Sequence, residues 1–206
     1  MSNPTVKNPL ATAVSLILPG DPAIDVVAMR DREAESLSDK ERAAIVDKIA
    51  KATREALKLD SDVLVSVSAE QMDDAITSRA VAKYTKAYDP ALLLFKQGET
   101  PSVFTVSPLS PGFLASRIDS DEATPIMAKA ILCVRAGAHS VKCADGLDLA
   151  ATMVPGSEKQ LMADEDWAAV VRDKFGQSAL YELGFAVMNL SRLPASARPT
   201  LRSSAG

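Results

Sequence analysis

The chain has 206 residues, of which 47% are hydrophobic and 24% are charged. These are the proportions of an ordinary globular protein, so they exclude a wholly disordered chain and favour one large domain. The formal net charge is −4 at pH 7 and no long basic run is present, which argues against direct nucleic-acid binding because phosphate contacts need clustered cations.

Cysteine usage and hydropathy indicate the compartment. The two cysteines, Cys133 and Cys143, do not form the dense pattern of a secreted disulfide scaffold, so a reducing cytosol is expected. The apolar stretch 11–18 follows a single lysine and is far below the ~20 apolar residues that span a bilayer. We therefore expect a soluble protein with neither a signal peptide nor a membrane contact.

Residues 1–37 are predicted to form an extended apolar arm. Prolines break any long helix in this segment, and an apolar patch lies on each side of the Pro-Gly-Asp-Pro sequence at 19–22. Patches as hydrophobic as these need a cover, which is either the body of the same chain or a neighbouring subunit. The residues predicted to contact a partner subunit are Leu16, Ile17, Leu18, Ile24, Val27 and Met29.

Two capping boxes predict the next two helices. In each, a serine at the N-cap is followed three residues later by a glutamate or glutamine, so that side chains satisfy unpaired backbone N–H groups. Ser38 opens a helix that ends near Leu59, and Ser68 opens one that ends at the Asp-Pro pair 89–90. The β-branched run Val63–Val67 between them predicts a short strand.

The second half of the chain mixes strand and helix signals. The apolar runs 92–95 and 103–106, joined by a glycine-containing connector, predict an antiparallel hairpin. A helix is predicted to end at Gly137 and a second small hairpin or turn within 141–150. The resulting fold class is α+β, mostly helical with one or two small antiparallel hairpins.

The end of the chain and the domain limits follow from the same patterns. A helix is expected from Asp164, with a second after the break at Gly176. The polar segment 194–206 lacks apolar side chains and predicts a disordered tail. The domains are thus the arm 1–37, a single α+β domain 38–193, and the tail.

One cluster carries residue types that bind metals or perform catalysis. It comprises Cys133, His139, Cys143 and Asp145, whose spacing matches no paired Cys or Cys/His zinc pattern. We expect free thiols and no bound metal. The sequence also holds no nucleophile elbow and no glycine-rich phosphate loop, so neither catalytic residues nor a cofactor are assigned.

Three stretches together resemble a known group of proteins. They are the strand and proline segment 100–111, the helix end 133–137, and the helix from 179–184 to 190–194. Their order is similar to small accessory proteins of tailed bacteriophages, including tail-assembly-chaperone-like ones, where a strand of the form Phe-x-Val-x-Pro-Leu precedes helices. The resemblance covers residues 100–194 and transfers no functional residue. It implies a viral, non-enzymatic virion structural or assembly protein.

The expected function is therefore a protein-interaction component, found in the host cytoplasm or the virion, whose partners are other subunits in a homo- or hetero-oligomer. Two alternatives stay open. The first is an enzyme of unfamiliar type that uses His139 with a nearby cysteine or aspartate. The second is a small-molecule-binding regulator, for which a closed cavity lined by Met and Leu would be the sign. Trp167 is either a core residue or an anchor for a partner.

Overall fold

The computed structural model describes residues 13–120, 123–155 and 161–194. The helices of this part of the chain are α1 Val26–Ser36, α2 Asp39–Leu57, α3 Ala69–Ala87, α4 Pro111–Phe113 with its π-helical continuation Leu114–Ile118, α5 Ile126–Gly137 and α6 Asp166–Arg192. The strands are β1 Val14–Leu16, β2 Val103–Val106, β3 Ala138–Lys142, β4 Asp148–Ala150, β5 Met153–Pro155 and β6 Leu161–Ala163. The predicted α+β class, mostly helical, is confirmed.

The strands form two antiparallel sheets. The larger has the order β1-β2-β3-β4, and β5 pairs with β6. In β2, Phe104 and Val106 are buried while Val103 and Thr105 are half-buried, so alternate side chains place one face of the sheet on the core. The β3–β4 pair contains the turn predicted within 141–150 and confirms it.

Helices α5 and α6 lie in backbone contact behind this sheet. A Cβ atom on Gly184 of α6 would lie 2.3 Å from the carbonyl oxygen of Ala130 on α5, so only glycine permits this approach. Gly176 interrupts α6 with φ 89° and ψ 165°, which confirms the predicted break. Glycine takes this positive φ without the steric penalty of a Cβ.

Helices α1 and α3 cover another side of the same core. Met29 of α1 and Tyr84 of α3 are buried in it. The Tyr84 hydroxyl donates to the carbonyl of Ile17 and accepts from the Ile17 N–H at 3.3 Å, which ties α3 to the segment after β1. The residues from 13 to 37 therefore share one core with the rest of the described chain.

Helix α2 lies outside that core. Its N-cap Ser38 and the N-cap Ser68 of α3 both form complete capping boxes, with Glu41 and Gln71 respectively, which confirms the two predicted helix starts. Ala50 is the sole buried residue of α2, and no α2 side chain belongs to the core cluster. The α2–α3 hairpin thus contacts the core cluster through the second half of α3, and its outer end projects from the body of the protein.

Two strand predictions are wrong. The run 92–95 does not pair with 103–106. Its first residue belongs to the 3-10 turn Pro90–Leu92, and Phe95 instead forms an antiparallel bridge with Ile24. Strand β2 pairs instead with β1 and β3. The run Val63–Val67 forms no strand and carries no regular structure.

The prediction of an extended arm over 1–37 is wrong for Val26–Ser36, which form helix α1. The Asp25 side chain caps this helix by accepting from the Ala28 N–H at 2.9 Å, and the helix contains no proline to break it. Residues 1–12 and the predicted tail from 195 onward lie outside the described residues; of the tail, only Pro194 is described.

Candidate functional site

The residues predicted to contact a partner subunit lie mostly inside this chain. Leu16, Ile17, Leu18, Ile24 and Met29 are buried in its core, whereas Val27, at the start of α1, is 57% exposed. A contact between this segment and another subunit stays a prediction, and Val27 is the member of the set that offers a surface for it.

The structure divides the cluster of cysteine, histidine and aspartate residues: Cys143 and Asp145 line a common cleft, and His139 does not. His139 lies on β3 and Cys143 follows the end of that strand. Four residues of extended chain separate their Cα atoms by roughly 13 Å at a rise of about 3.3 Å per residue, which is too far for a Cys–His pair. Within the described residues, no group of three or more His, Cys, Asp or Glu side chains could hold a metal ion.

Burial sets the chemistry of these groups. It raises the pKa of the Cys133 thiol to about 12 and also raises the pKa of Cys143, so both free thiols stay protonated near neutral pH. Burial lowers the pKa of His139, which keeps its imidazole neutral. Trp167 is buried in the core.

The most exposed large hydrophobic residue of the described chain, Leu64, lies at the outer end of the α2–α3 hairpin. We define the hairpin tip as residues 57–68, which are the last residue of α2 and the segment that joins α2 to α3. Leu64 in the tip is 97% exposed and Leu57 is 63% exposed. Leu59 and Val63 add further exposed apolar surface. Single exposed hydrophobic residues are ordinary, but several within one loop indicate an interaction surface.

Part of the backbone of the tip is also free of hydrogen bonds. Among the described residues, the amides of Leu64, Val65, Ser66 and Val67 neither donate nor accept a hydrogen bond. Both backbone groups of Val63 are used: its N–H donates to the carbonyl of Asp60, and its carbonyl accepts from the side chain of Arg54. The segment therefore presents a strand-forming sequence with unused hydrogen-bonding groups.

In the outer half of the hairpin, most cations lie on α2 and the acids at the start of α3 have no cation among them. The last turns of α2 carry the cations Lys48, Lys51, Arg54 and Lys58 against one acid, Glu55. The first turns of α3 carry the acids Glu70, Asp73 and Asp74 and no cation before Arg79. Within the described residues, ion pairing inside this region is restricted to Lys51–Glu55, while Asp73 pairs with Arg30 of α1.

An ionic cluster fixes the base of the hairpin to α1. The buried Glu33 carboxylate of α1 accepts from Arg79 at 2.7 Å and from Lys83 of α3, and Arg79 also donates to Glu41 of α2 at 2.6 Å. Burial alone would raise the pKa of Glu33, but the hydrogen bonds from Lys83 and Arg79 outweigh it and hold that pKa below its ordinary value. The base is therefore fixed, while the tip has no such support.

A separate cleft of about 560 Å³ lies at the break in α6. Its walls come from the turn after β1, the segment leading into β2, the β3–β4 turn and α6 around Gly176. Leu18, Phe104, Phe175 and Ala179 form its apolar part. It is an open cleft rather than the closed, Met-lined cavity that a regulator was expected to show, and His139 does not line it.

Sequence reasoning predicted the two helices of the α2–α3 hairpin but missed both surfaces. The one sequence feature that marks the tip is the run Val63–Val67, and it was interpreted as a short strand of the fold. The cleft joins four segments that are far apart in the sequence, so no local pattern marks it. Within the described residues, no helix is both long and apolar enough to cross a membrane. Comparison of the chain with family models, with curated proteins and with solved structures found no match.

Proposed function

We propose that the protein is a non-enzymatic structural or assembly component that acts through protein contacts, and that its hairpin tip binds a second copy of this chain. The observation that carries the proposal is the tip itself, where exposed apolar side chains and free backbone amides occur in one segment. A second observation, the charge division of the hairpin, supports the choice of partner.

Antiparallel pairing of the segment with its own copy supports a two-fold contact. Rotation about an axis at Val65 sets Val63 of one chain opposite Val67 of the other, so both chains present the same surface. Main-chain hydrogen bonds then use the free amides, and the exposed side chain of Leu64 gains a cover. Short exposed strand segments bind partners by this kind of strand addition.

The charges of the hairpin favour the same arrangement. In an antiparallel two-fold contact, the cationic end of α2 in one chain faces the acidic start of α3 in the other. Complementary charges of this kind fix the register of a contact and suppress other pairings. The contact would then place the apolar tip residues at its centre and the charged helix ends at its rim.

The resemblance of residues 100–194 to tailed-bacteriophage accessory proteins supports the biological setting. It favours a virion structural or assembly role in the host cytoplasm or the virion, with other subunits as partners. The self-contact at the tip would provide the oligomer from which such an assembly is built.

The test is the native mass of the full chain over a concentration series. We expect a species of twice the chain mass that Leu64→Glu and Ser66→Pro both convert to a monomer. The first adds a charge, and the second removes the N–H of Ser66, which lies at a hydrogen-bonded position when the axis passes through Val65. Ile126→Glu is the matched control, since it places the same charge at an exposed apolar position on α5. A wild-type chain that stays monomeric, or a dimer that both tip variants leave intact, would refute the proposal.

A further inference from the structure

The cleft at the break in α6 has the features of a small-ligand site. Its volume of about 560 Å³ lies within the range of roughly 300–1,000 Å³ that is typical of such sites. The rings of Phe104 and Phe175 pack at the apolar wall with centroids 5.1 Å apart and an interplanar angle of 59°. Phe104 is buried, whereas Phe175 is half-buried and lines the cleft.

Acidic side chains surround this apolar wall. Four carboxylates, Asp21, Glu99, Asp145 and Glu182, and one ammonium group, Lys174, line the cleft, which leaves a formal charge of −3. The Lys174 ammonium donates to Asp145 at 2.6 Å, so the one cation is already neutralised and does not attract an anion. The field in the cleft therefore favours a cationic ligand.

The carboxylates differ in the number of hydrogen bonds that they already accept from this chain. Asp21 accepts from the backbone N–H groups of Ala23 and Ser102, both at 2.9 Å, so it shapes the wall. Glu182 accepts a single long bond, from the Gly20 N–H at 3.3 Å. Glu99 is exposed, and no hydrogen bond or ion pair of its side chain occurs in the described residues. Glu99 and Glu182 are thus the groups with capacity for a ligand.

We infer that this cleft binds a small organic cation with an aromatic body, of the arylalkylammonium class. The ring of the ligand packs on the apolar wall beside Phe175, and its ammonium group is held by Glu99 and Glu182. A cation near an aromatic face gains further attraction from the ring quadrupole. This site is distinct from the hairpin tip and does not depend on self-association.

The experiment uses the full chain and two isosteric probes, 2-phenylethylammonium and the neutral 2-phenylethanol, with binding followed by backbone amide NMR titration. We expect saturable shifts at residues 99–104 and 174–182. The ammonium probe should bind roughly fivefold or more tightly than the alcohol, and the difference should shrink as salt is added.

Variants assign the contact. Glu99→Gln should weaken binding of the ammonium probe about two- to fivefold, because exposed ion pairs contribute modestly, and should not change binding of the alcohol. Ser178→Phe, at an exposed position on the cleft wall, should block both probes. Glu35→Gln is the control, since it removes an exposed acid from α1, which does not line the cleft.

Four results would overturn the inference. They are the absence of saturation, equal binding of the two probes, shifts that map outside the cleft, and binding of an arginine-containing peptide without binding of the ammonium probe. The titration is repeated on Leu64→Glu, which removes the proposed self-contact. Because that substitution lies outside the cleft, failure of the cleft inference and failure of the proposed function give different results.

Discussion

Replacing Gly184 by alanine tests the close contact of α5 and α6, around which the core is built. The new Cβ would lie 2.3, 2.6 and 2.7 Å from the carbonyl oxygen, carbonyl carbon and Cα of Ala130. All three are backbone atoms, so no side-chain rotation relieves the contact. The two helices must separate by about 1 Å to restore ordinary carbon–carbon distances of roughly 3.5–4.0 Å.

The separation removes packing on both sides of the new methyl group. A gap of about 0.5–1 Å forfeits a quarter to a half of the van der Waals attraction of the atoms that line it, and the neighbours Leu183 and Val187 are fully buried. Against this, alanine is favoured over glycine in a helix by about 1 kcal/mol. Because the clashing atoms belong to the backbone, the cost lies at or above the upper end of the about 1–3 kcal/mol that is typical of overpacking. Subtracting the helix preference of alanine leaves an expected net loss of about 2 kcal/mol or more in the free energy of unfolding.

Urea unfolding, followed by circular dichroism and by the fluorescence of the single tryptophan, Trp167, measures this loss. Gly112→Ala is the matched control, because a Cβ on Gly112 of α4 would meet no atom within 4 Å; it should change stability by less than about 0.5 kcal/mol. Adding Ala130→Gly to Gly184→Ala should not restore stability, since the clash is with backbone atoms. Stability of Gly184→Ala equal to or above that of the wild type would refute the close approach.

Four further expectations follow from the core and its titratable groups. Tyr84→Phe should lower the free energy of unfolding by about 1–3 kcal/mol in urea unfolding, because it leaves the buried N–H and carbonyl of Ile17 without their partner; an unchanged midpoint would contradict this. The pKa of Glu33 lies below its ordinary value of 4.5, so its stabilising effect is present above pH 4.5 and is lost as the pH falls through its native pKa. Between pH 6 and pH 3 the wild type should therefore lose more stability than Glu33→Gln, and parallel pH profiles would argue against the ion pairs. With its pKa raised to about 12 by burial, the Cys133 thiol should react with a thiol reagent at pH 8 only as fast as the protein unfolds; rapid labelling of the native protein would show it to be accessible. Deleting residues 1–30 should abolish folding as judged by circular dichroism, because β1 and its buried neighbours belong to the core. A product that is folded but monomeric would instead support the interpretation of this segment as an arm that binds a partner subunit.

Local signals predicted α2, α3 and the break in α6, though not α1, because the forces that set helix ends act over a few residues. The Ser38 and Ser68 capping boxes each involve atoms three residues apart, and the structure has both. The break at Gly176 is equally local, since a positive φ there favours glycine. These features could be predicted from the sequence without knowledge of what packs against them.

Strand pairing could not be predicted in this way. The expected hairpin used the apolar run nearest to β2 along the chain, whereas β2 pairs with Val14–Leu16 on one side and with Ala138–Lys142 on the other. Partners this distant leave no spacing signal in a single sequence. The cleft depends on the same long-range pairing, because β1 in the sheet holds the chain turn at 19–22 next to α6, where Gly20 donates to Glu182.

The run Val63–Val67 is a different kind of disagreement, and it bears on function. Its residues favour a strand, yet no segment of the described residues pairs with it, and Leu64 is almost wholly exposed to water. Conflicts between local preference and global fold are expected at functional sites, where a structure keeps a feature that its own stability does not require. Proteins usually prevent such segments from pairing with other chains by placing charges beside them or by covering them. Here the nearest charges, Asp60 and Asp62, lie before the segment. The missing partner is therefore best sought in another chain, and the two-fold contact at the tip would supply it with an identical segment.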